Sequence, residues 1–269
     1  MNLMLDINPD LTKKTALVTG STSGIGWSIA QAVAGAGANV MVHGLGDRDD
    51  RERLRLTLSG SAKGKIACHG ADLAEPSEVE ALIRDTKATL GPIDILVNNA
   101  GLQHVASVDS MPLERWSVIN QVVLQAAFLT TKAVISGMRT RGWGRVINIV
   151  SAHGLVASPY KSAYVAAKHG LIGLTRSSAL ELAESGVTVN AICPGYVRTP
   201  LVDSQIKAQA ESHHMSADRV VREIILSAQP NKRFVPSNEI AALLLFLCSD
   251  FATSITGSAI AIDGGWTAR

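Results

Sequence analysis

Tyr164 and Lys168, in Tyr164-Val-Ala-Ala-Lys168, have the types and the spacing to move a proton. In a helix they lie one turn apart on one face. A free tyrosine titrates at about 10, too high for proton transfer at neutral pH. A cation beside it favours the phenolate and lowers that pKa. Such a pair could take a proton from an alcohol, or return one to a ketone. Ser151 directly follows the apolar run Val146-Ile-Asn-Ile-Val150. That run reads as a buried strand, so Ser151 falls at its carboxyl end, where open α/β sheets bind ligands. A Tyr–Lys pair at this spacing arises by chance in many helices, so its meaning depends on the elements that position it.

The first of these is a glycine turn. Thr15-Ala-Leu-Val-Thr19 reads as a strand and runs into Gly20-Ser-Thr-Ser-Gly24-Ile-Gly26. Residues 27–37 then place Ile29, Ala30, Val33 and Ala34 at helical spacing, and Ala38-Asn-Val-Met-Val-His43 reads as a second strand. Strand, glycine turn, helix, strand is a dinucleotide-binding unit. Gly20 is expected to permit the turn, with Gly24 and Gly26 letting backbone approach a pyrophosphate and Ser23 and Ile25 between them. The helix N-terminus would add free N–H groups and partial positive charge. After the second strand comes His43-Gly44-Leu45-Gly46-Asp47. The carboxylate that often holds the adenosine ribose hydroxyls is absent from the expected place, although Asp47 is near. No Arg or Lys stands there before Arg48 and the turn contains none, so NAD is expected over NADP, with Leu45 against the adenosine.

Further along, residues 47–59 form a charged helix and Lys65-Ile-Ala-Cys68 a short strand ending near Asp72 and Leu73. Asp72 is placed to meet adenine's amino group, or to cap the helix of residues 75–90. Ile93-Asp-Ile-Leu-Val97 is a buried strand that ends in Asn98-Asn99-Ala100-Gly101, small residues a cofactor could lie against, with Gln103 and His104 on the rim. Residues 112–139 are long, apolar and helical, suited to covering a sheet and to an oligomer interface. Val187-Thr-Val-Asn-Ala-Ile192 is another strand, and the segment after it holds Pro194, Gly195, Val197 and Thr199. Thr199 could bond a nicotinamide amide or cap the following helix. Residues 201–228 are polar and alternate in charge, as a lid would. His213 and His214 are adjacent, which suits solvent better than a metal. Residues 239–248 read as a core helix and 258–262 as a last strand.

Strands alternate with helices throughout, which predicts a single-domain Rossmann-type doubly wound parallel α/β sheet with helices on both faces. The composition, 46% hydrophobic and 18% charged over 269 residues, suits a large core. A net charge of +2 and the lack of a basic run argue against nucleic acid. Cys68, Cys193 and Cys248 are far apart and odd in number, which implies neither a metal cluster nor a disulfide framework and fits a reduced, cytoplasmic setting. The N-terminus shows no basic region followed by an apolar stretch, so neither a signal peptide nor a membrane span is expected.

Together these motifs resemble the short-chain dehydrogenase/reductase family over nearly the whole chain. Thr19-Gly-Ser-Thr-Ser-Gly-Ile-Gly26 is similar to its cofactor motif and Asn98-Asn-Ala-Gly101 to its strand-four motif, while Pro194, Gly195 and Thr199 match its nicotinamide segment. Ser151, Tyr164 and Lys168 fall at the positions of its catalytic serine, tyrosine and lysine. The resemblance implies that Tyr164 is the general acid/base, that Lys168 lowers its pKa and bonds the nicotinamide ribose, and that Ser151 donates to the reacting oxygen. Gly101-Leu-Gln-His-Val105, Ser151-Ala-His-Gly-Leu-Val-Ala-Ser158, residues 161–170, Thr199-Pro-Leu-Val202 and Asp263-Gly-Gly-Trp-Thr-Ala268 resemble, more narrowly, the bacterial branch that oxidises D-3-hydroxybutyrate. That resemblance implies Gln103, His153, Lys161 and Gln205 as contacts to a small hydroxy or keto acid, and a homotetramer. A reductase of a 3-oxoacyl thioester is the alternative. One departure stands out: where the family has an asparagine that supports a proton-relay water near the lysine, this chain has Val123. Asn120 lies a turn away as a substitute. Slower turnover is expected, or a weakened NAD-binding relative.

Overall fold

The computed structural model describes residues 9–268, apart from the side chains at positions 200, 201, 204 and 208; residues 1–8, where no leader was expected, lie outside it. Seven short strands set the frame: β1 (Thr15–Val18), β2 (Asn39–His43), β3 (Ile66–His69), β4 (Ile95–Asn98), β5 (Gly144–Ile149), β6 (Val187–Pro194) and β7 (Ala259–Ile262). All pair in parallel, in the order β3-β2-β1-β4-β5-β6-β7. Parallel strands need crossovers, and these are α1 (Gly24–Gly35), α2 (Arg48–Ser59), α3 (Pro76–Leu90), α4 (Leu113–Asn120), α5 (Ala126–Arg141) and α6 (Ser162–Glu181). After β6 come α7 (Pro200–His213), the single turn α8 (Ala217–Arg219) and α9 (Ser237–Cys248). The chain steps outward from β1 to β3 and then returns to β4 on the other side of β1, which creates the switch point between β1 and β4.

Both faces of the sheet are covered, so its central strands are apolar at nearly every position rather than alternating. Val18, Val40, Ile95 and Ile147 pack with Ile29 and Val33 of α1 and Ile240 and Leu244 of α9. Leu17, Met41, Leu96 and Val146 face the other way, against Leu82, Val134 and Met138. The helical stretch Leu113–Arg141 is long and apolar enough to cross a membrane by composition. Here it covers the sheet, with Val122, Val134 and Met138 in the core. It is not a continuous α-helix: Gln121–Gln125 forms a π turn between α4 and α5, which the sequence pattern did not reveal.

Most boundaries agree with the sequence reading to within two residues. The expected strand 93–97 begins at Ile95, and at its entry Asp94 accepts at its carboxylate from the Thr15 N–H (3.1 Å) and pairs with Arg141 (3.1 Å). Cys193 and Cys248 are buried, and all three cysteines are free. His213 and His214 are exposed.

One buried polar chain crosses the middle of the sheet. Thr130 Oγ1 donates to Asn98 Oδ1 (2.7 Å), Asn98 Nδ2 to Asn148 Oδ1 (2.9 Å), and Asn148 Nδ2 to Thr175 Oγ1 (2.8 Å). It ties α5, β4, β5 and α6 together. Asn148→Ala would take one partner from the Asn98 amide, which keeps Thr131 Oγ1 at 3.4 Å, and one from the Thr175 hydroxyl, which keeps Leu171 O at 2.8 Å. We expect a loss of about 1–3 kcal/mol in urea unfolding from the weakened line, together with reduced activity because α6 carries Tyr164 and Lys168.

Candidate active site

Because the strands run in parallel, the segments after β1, β4, β5 and β6 emerge on the same edge of the sheet. The turn after β1 holds Gly20 at φ +61° and Gly24 at φ +55°. A Cβ on Gly20 would stand 2.8 Å from Ala100 Cα, so both φ and space require glycine there. Gly26 does something other than expected. A Cβ there would strike Gly20 O at 2.3 Å and Asn99 Nδ2 at 2.5 Å, so Gly26 lets the turn fold onto itself and onto β4 instead of baring backbone to a phosphate. Asn99 then locks the arrangement, donating to Thr19 O and Gly20 O, both at 2.9 Å. The first turn of α1 has no acidic side chain and Ser23 makes no side-chain cap, which leaves its amides for an anion.

Gly20, Ser23, Leu45, Asp72, Leu73, Asn99, Ala100 and Gly101 line one cleft of ≈ 380 Å³. Thr22 and His43 join them, and neither was singled out from sequence. Asp47 is not at the ribose position: it caps α2, accepting from the Asp49 N–H at 2.8 Å. The Asp72 carboxylate accepts from the Ala74 N–H (2.9 Å) while facing the cleft. The cleft fits a dinucleotide. Glycines stand where side chains would fill it, uncapped amides face it, and it reaches Gly101, where an added Cβ would sit 4.0 Å from Lys168 Nζ.

A second cavity of ≈ 160 Å³ gathers the remaining expected residues. Gln103, Ser151, His153, Lys161, Tyr164 and Gln205 all line it, as do Ile25, Gly195, Val197 and Thr199. Pro194 lies buried just before them at the end of β6. Thr199 also caps α7, its hydroxyl accepting from the Val202 N–H at 3.4 Å. Three lining residues were missed: Val202, and Tyr196 and Trp266, whose rings stack at 5.5 Å and 7° to form an aromatic wall. Lys161 Nζ donates to Tyr196 Oη at 3.3 Å.

The helix carrying the pair does form, and α6 puts Lys168 Nζ 5.6 Å from the Tyr164 ring. The electrostatics differ from the expectation. Burial pushes the Tyr164 hydroxyl up to about 12, with a hydrogen bond from Ser151 opposing it. Burial likewise pulls Lys168 down to about 8. Desolvation penalises both charged forms, and at this separation it outweighs their mutual attraction. The Lys168 ammonium donates to Ile149 O at 2.7 Å. Beside it stands Val123, 2% exposed, with a methyl 3.8 Å from the same Gly101 Cβ position. Asn120 turns back to its own helix, donating to Trp116 O at 2.9 Å.

The chain that builds this arrangement is similar to known proteins over nearly its whole length. Residues 20–267 match the family model described as enoyl-(acyl carrier protein) reductase. D-beta-hydroxybutyrate dehydrogenase of Rhizobium meliloti is 49% identical over 95% of this chain and 99% of its own. That of Cupriavidus necator is 48% identical over 96% of this chain and 100% of its own. The chain belongs to the short-chain dehydrogenase/reductase family. As a member of that family it is an oxidoreductase. Among solved structures it is similar to L-sorbose reductase from Gluconobacter frateurii complexed with NADPH and L-sorbose (TM-score 0.92, 28% identity, covering 98% of this chain and 100% of that one). It is also similar to a single-site variant of actinorhodin polyketide ketoreductase with NADPH (TM-score 0.88, 32% identity, covering 95% of this chain and 98% of that one).

His43 shows how this short-chain dehydrogenase/reductase site is held in shape. Its Nδ1 accepts from the Gly20 N–H (3.1 Å) and its Nε2 donates to Ala71 O (2.9 Å), so one neutral ring ties the glycine turn to the far wall of the cleft. Burial pulls its pKa down to about 4. An unfolded imidazole titrates at about 6.5, so only the unfolded state takes up the proton between those values. The His43 contribution is complete above pH 6.5 and is lost as pH falls toward 4, amounting to about 3 kcal/mol at about 1.4 kcal/mol per unit. His153 is lowered to the same value, so urea unfolding at pH 7 and pH 4.5 measures the two together, and His43→Asn is expected to remove about half of the difference.

Proposed function

We propose that this oxidoreductase interconverts D-3-hydroxybutyrate, or a close small hydroxy acid, and its keto acid, with NAD as cofactor. The observation that carries the reading is the ≈ 160 Å³ cavity in which Tyr164 and Ser151 share walls with Lys161, Gln103 and Gln205. A small carboxylate needs a cation and several donors, and a thioester does not. The relatives named D-beta-hydroxybutyrate dehydrogenase support the same substrate class. Residues 12–150 then hold the cofactor and 151–269 the substrate, with residues 200–230 as the cover. That cover has its own apolar cluster, Val202, Ile206, Val220, Ile225 and Leu226, which packs against Tyr196 of the cavity wall.

In the oxidation direction Tyr164 takes the alcohol proton at its Oη as the phenolate, whose charge the Lys168 ammonium and a bound oxidised nicotinamide would favour against burial; in the reverse direction its hydroxyl, the form that burial favours, gives the proton to the ketone oxygen. Ser151 donates to the same substrate oxygen and stabilises the charge that develops there. Lys161 holds the carboxylate, with amide hydrogens from Gln103 and Gln205, and His153 lines the same wall. Lys168 lies where the cleft meets the cavity and would bond the nicotinamide ribose. Bound NAD supplies the hydride acceptor. Val123 offers no hydrogen bond beside Lys168, and we read it as a brake on turnover. NADP is the second reading. Arg51 favours it, because its guanidinium donates to Gly46 O beside Leu45, and both structural neighbours carry NADPH.

The test is reduction of NAD and, separately, NADP by the purified protein with D- or L-3-hydroxybutyrate. Turnover of NAD with the D-enantiomer alone is expected, and Lys161→Ala should raise the KM for the acid tenfold or more with a smaller change in kcat. Turnover with 3-oxoacyl thioesters only would overturn the reading. We also propose a cytoplasmic homotetramer. Phe128 (47% exposed), Leu113 (71%) and Trp116 (37%) lie along one apolar helical stretch. Light scattering is expected to give four times the 28.3 kDa chain mass.

A further inference from the structure

Lys161 is the only lysine or arginine lining the ≈ 160 Å³ cavity, and no carboxylate among the described residues pairs with it. Its hydrogen bond there is to Tyr196, whose Oη accepts from Lys161 Nζ at 3.3 Å. The ammonium also stands over the Tyr196 ring, 5.5 Å from its centroid. We propose that Tyr196 is a positioning residue that makes the cavity selective for an acid: its hydroxyl holds the Lys161 ammonium at the cavity wall, ready for the carboxylate of the substrate.

The chemistry of the two groups fixes the direction of this bond. An ammonium has three donors and no acceptor, so the phenol oxygen must accept. Two N–H groups are then left on Lys161 for a ligand. Tyr196 is also the partner that stays still. Its backbone N–H donates to Gln229 Oε1 (3.1 Å) and its carbonyl accepts from the Val235 N–H (2.8 Å). Gln229 is fully buried, and its amide nitrogen donates to Asn231 Oδ1 (3.2 Å) and to Arg233 O. A Cβ on Gly195 would stand 2.4 Å from Gln229 Oε1, so this grip needs glycine just before Tyr196. The Tyr196 ring lies flat on Trp266. Trp266 in turn sits in a turn that Asp263 caps, accepting from the Gly265 and Thr267 N–H groups at 3.0 and 2.9 Å.

Lysine carries its charge on a flexible four-carbon stem and holds water strongly. Left alone at a half-buried rim, Lys161 would spread over many rotamers, most of them turned to solvent. The phenol offers it one acceptor at the cavity wall, so part of the ordering is complete before the acid arrives. A phenylalanine would give the same stack on Trp266 without that acceptor. The hydroxyl has no other hydrogen-bond partner among the described residues, so Lys161 is the group that accounts for it. The charge matters because His153, on the same wall, is neutral: burial, with the Lys161 charge beside it, brings its pKa down to about 4. A neutral His153 can donate to the same carboxylate but brings no charge. The proposal rests on the hydroxy acid reading for the identity of the acid, but not for the Lys161–Tyr196 pair.

Acetate is the probe, titrated calorimetrically into the protein with NADH and, separately, with NADPH. Tyr196→Phe should weaken acetate about five- to tenfold, the scale of one hydrogen bond of ordinary net strength. Lys161→Met should weaken it further, and adding Tyr196→Phe to Lys161→Met should change nothing more, because the hydroxyl acts through the ammonium. With D-3-hydroxybutyrate, Tyr196→Phe should raise KM by the same factor and leave kcat within about twofold. Its methyl ester, which carries no charge, should be unaffected. Equal acetate affinity in the wild type and Tyr196→Phe overturns the proposal, as does a wild type that binds no acetate. A Tyr196→Phe effect that persists undiminished in Lys161→Met would make the hydroxyl a direct contact and also overturn it. So would a fall in kcat with acetate affinity unchanged. A wild type that binds acetate in this Tyr196-dependent way but oxidises no hydroxy acid supports the proposal and sinks the substrate reading.

Discussion

The hydrogen-bonded line Thr130–Asn98–Asn148–Thr175 is the constraint on which the site depends. Apolar contacts hold α5 and α6 against the sheet, but such contacts are non-directional and tolerate sliding. Buried amides do not, because a shift of an ångström leaves them unpaired at full desolvation cost. The line fixes the height of α6 relative to β5. Ser151 follows β5, and Tyr164 and Lys168 ride on α6, so their mutual placement follows from Asn148 and Thr175. The glycine turn is secured independently, by Asn99 on one side and His43 on the other.

Charge is suppressed at the centre of the site. Tyr164, Lys168 and His153 are each displaced toward the neutral form by burial. Lys168, at about 8, keeps most of its charge at neutral pH but spends a donor on Ile149 O, and the lysine that lines the cavity itself is Lys161, beside Tyr196. Proton chemistry and charge recognition are thus kept on separate groups. A ligand that brings a negative charge meets Lys161, while its reacting carbon meets uncharged hydroxyls.

Much of this was legible in the sequence, and the reasons differ from residue to residue. The sheet could be read because parallel strands buried on both faces are written as unbroken apolar runs. Tyr164 and Lys168 could be read because helical spacing alone puts them on one face. Gln103 and Gln205 required the family resemblance, since nothing local marks them. The misses have a common cause, which is that they depend on contacts between distant segments. Gly26 looked like a ligand-facing glycine, but its neighbour is Asn99. Asp47 looked close to the ribose, yet its carboxylate serves the amides opening α2. His43 and Trp266 meet their partners only after folding. Tyr164 was expected to be acidified by Lys168, an argument that counted charge and left out burial.

The π turn at Gln121–Gln125 carries a consequence for how this chain could change length. A π turn is one residue wider than an α turn, so it behaves as a single-residue insertion absorbed inside a helix. Deleting one residue there would return the stretch to a regular α-helix with α4 and α5 left close to their present phase. Ile119 would keep its place with Val123, Ala163 and Ala167 under the Tyr164 helix. A deletion in the α turns on either side would instead rotate one half against the other by about 100°. The register of this wall therefore tolerates a change of chain length at the π turn more readily than elsewhere along the helix.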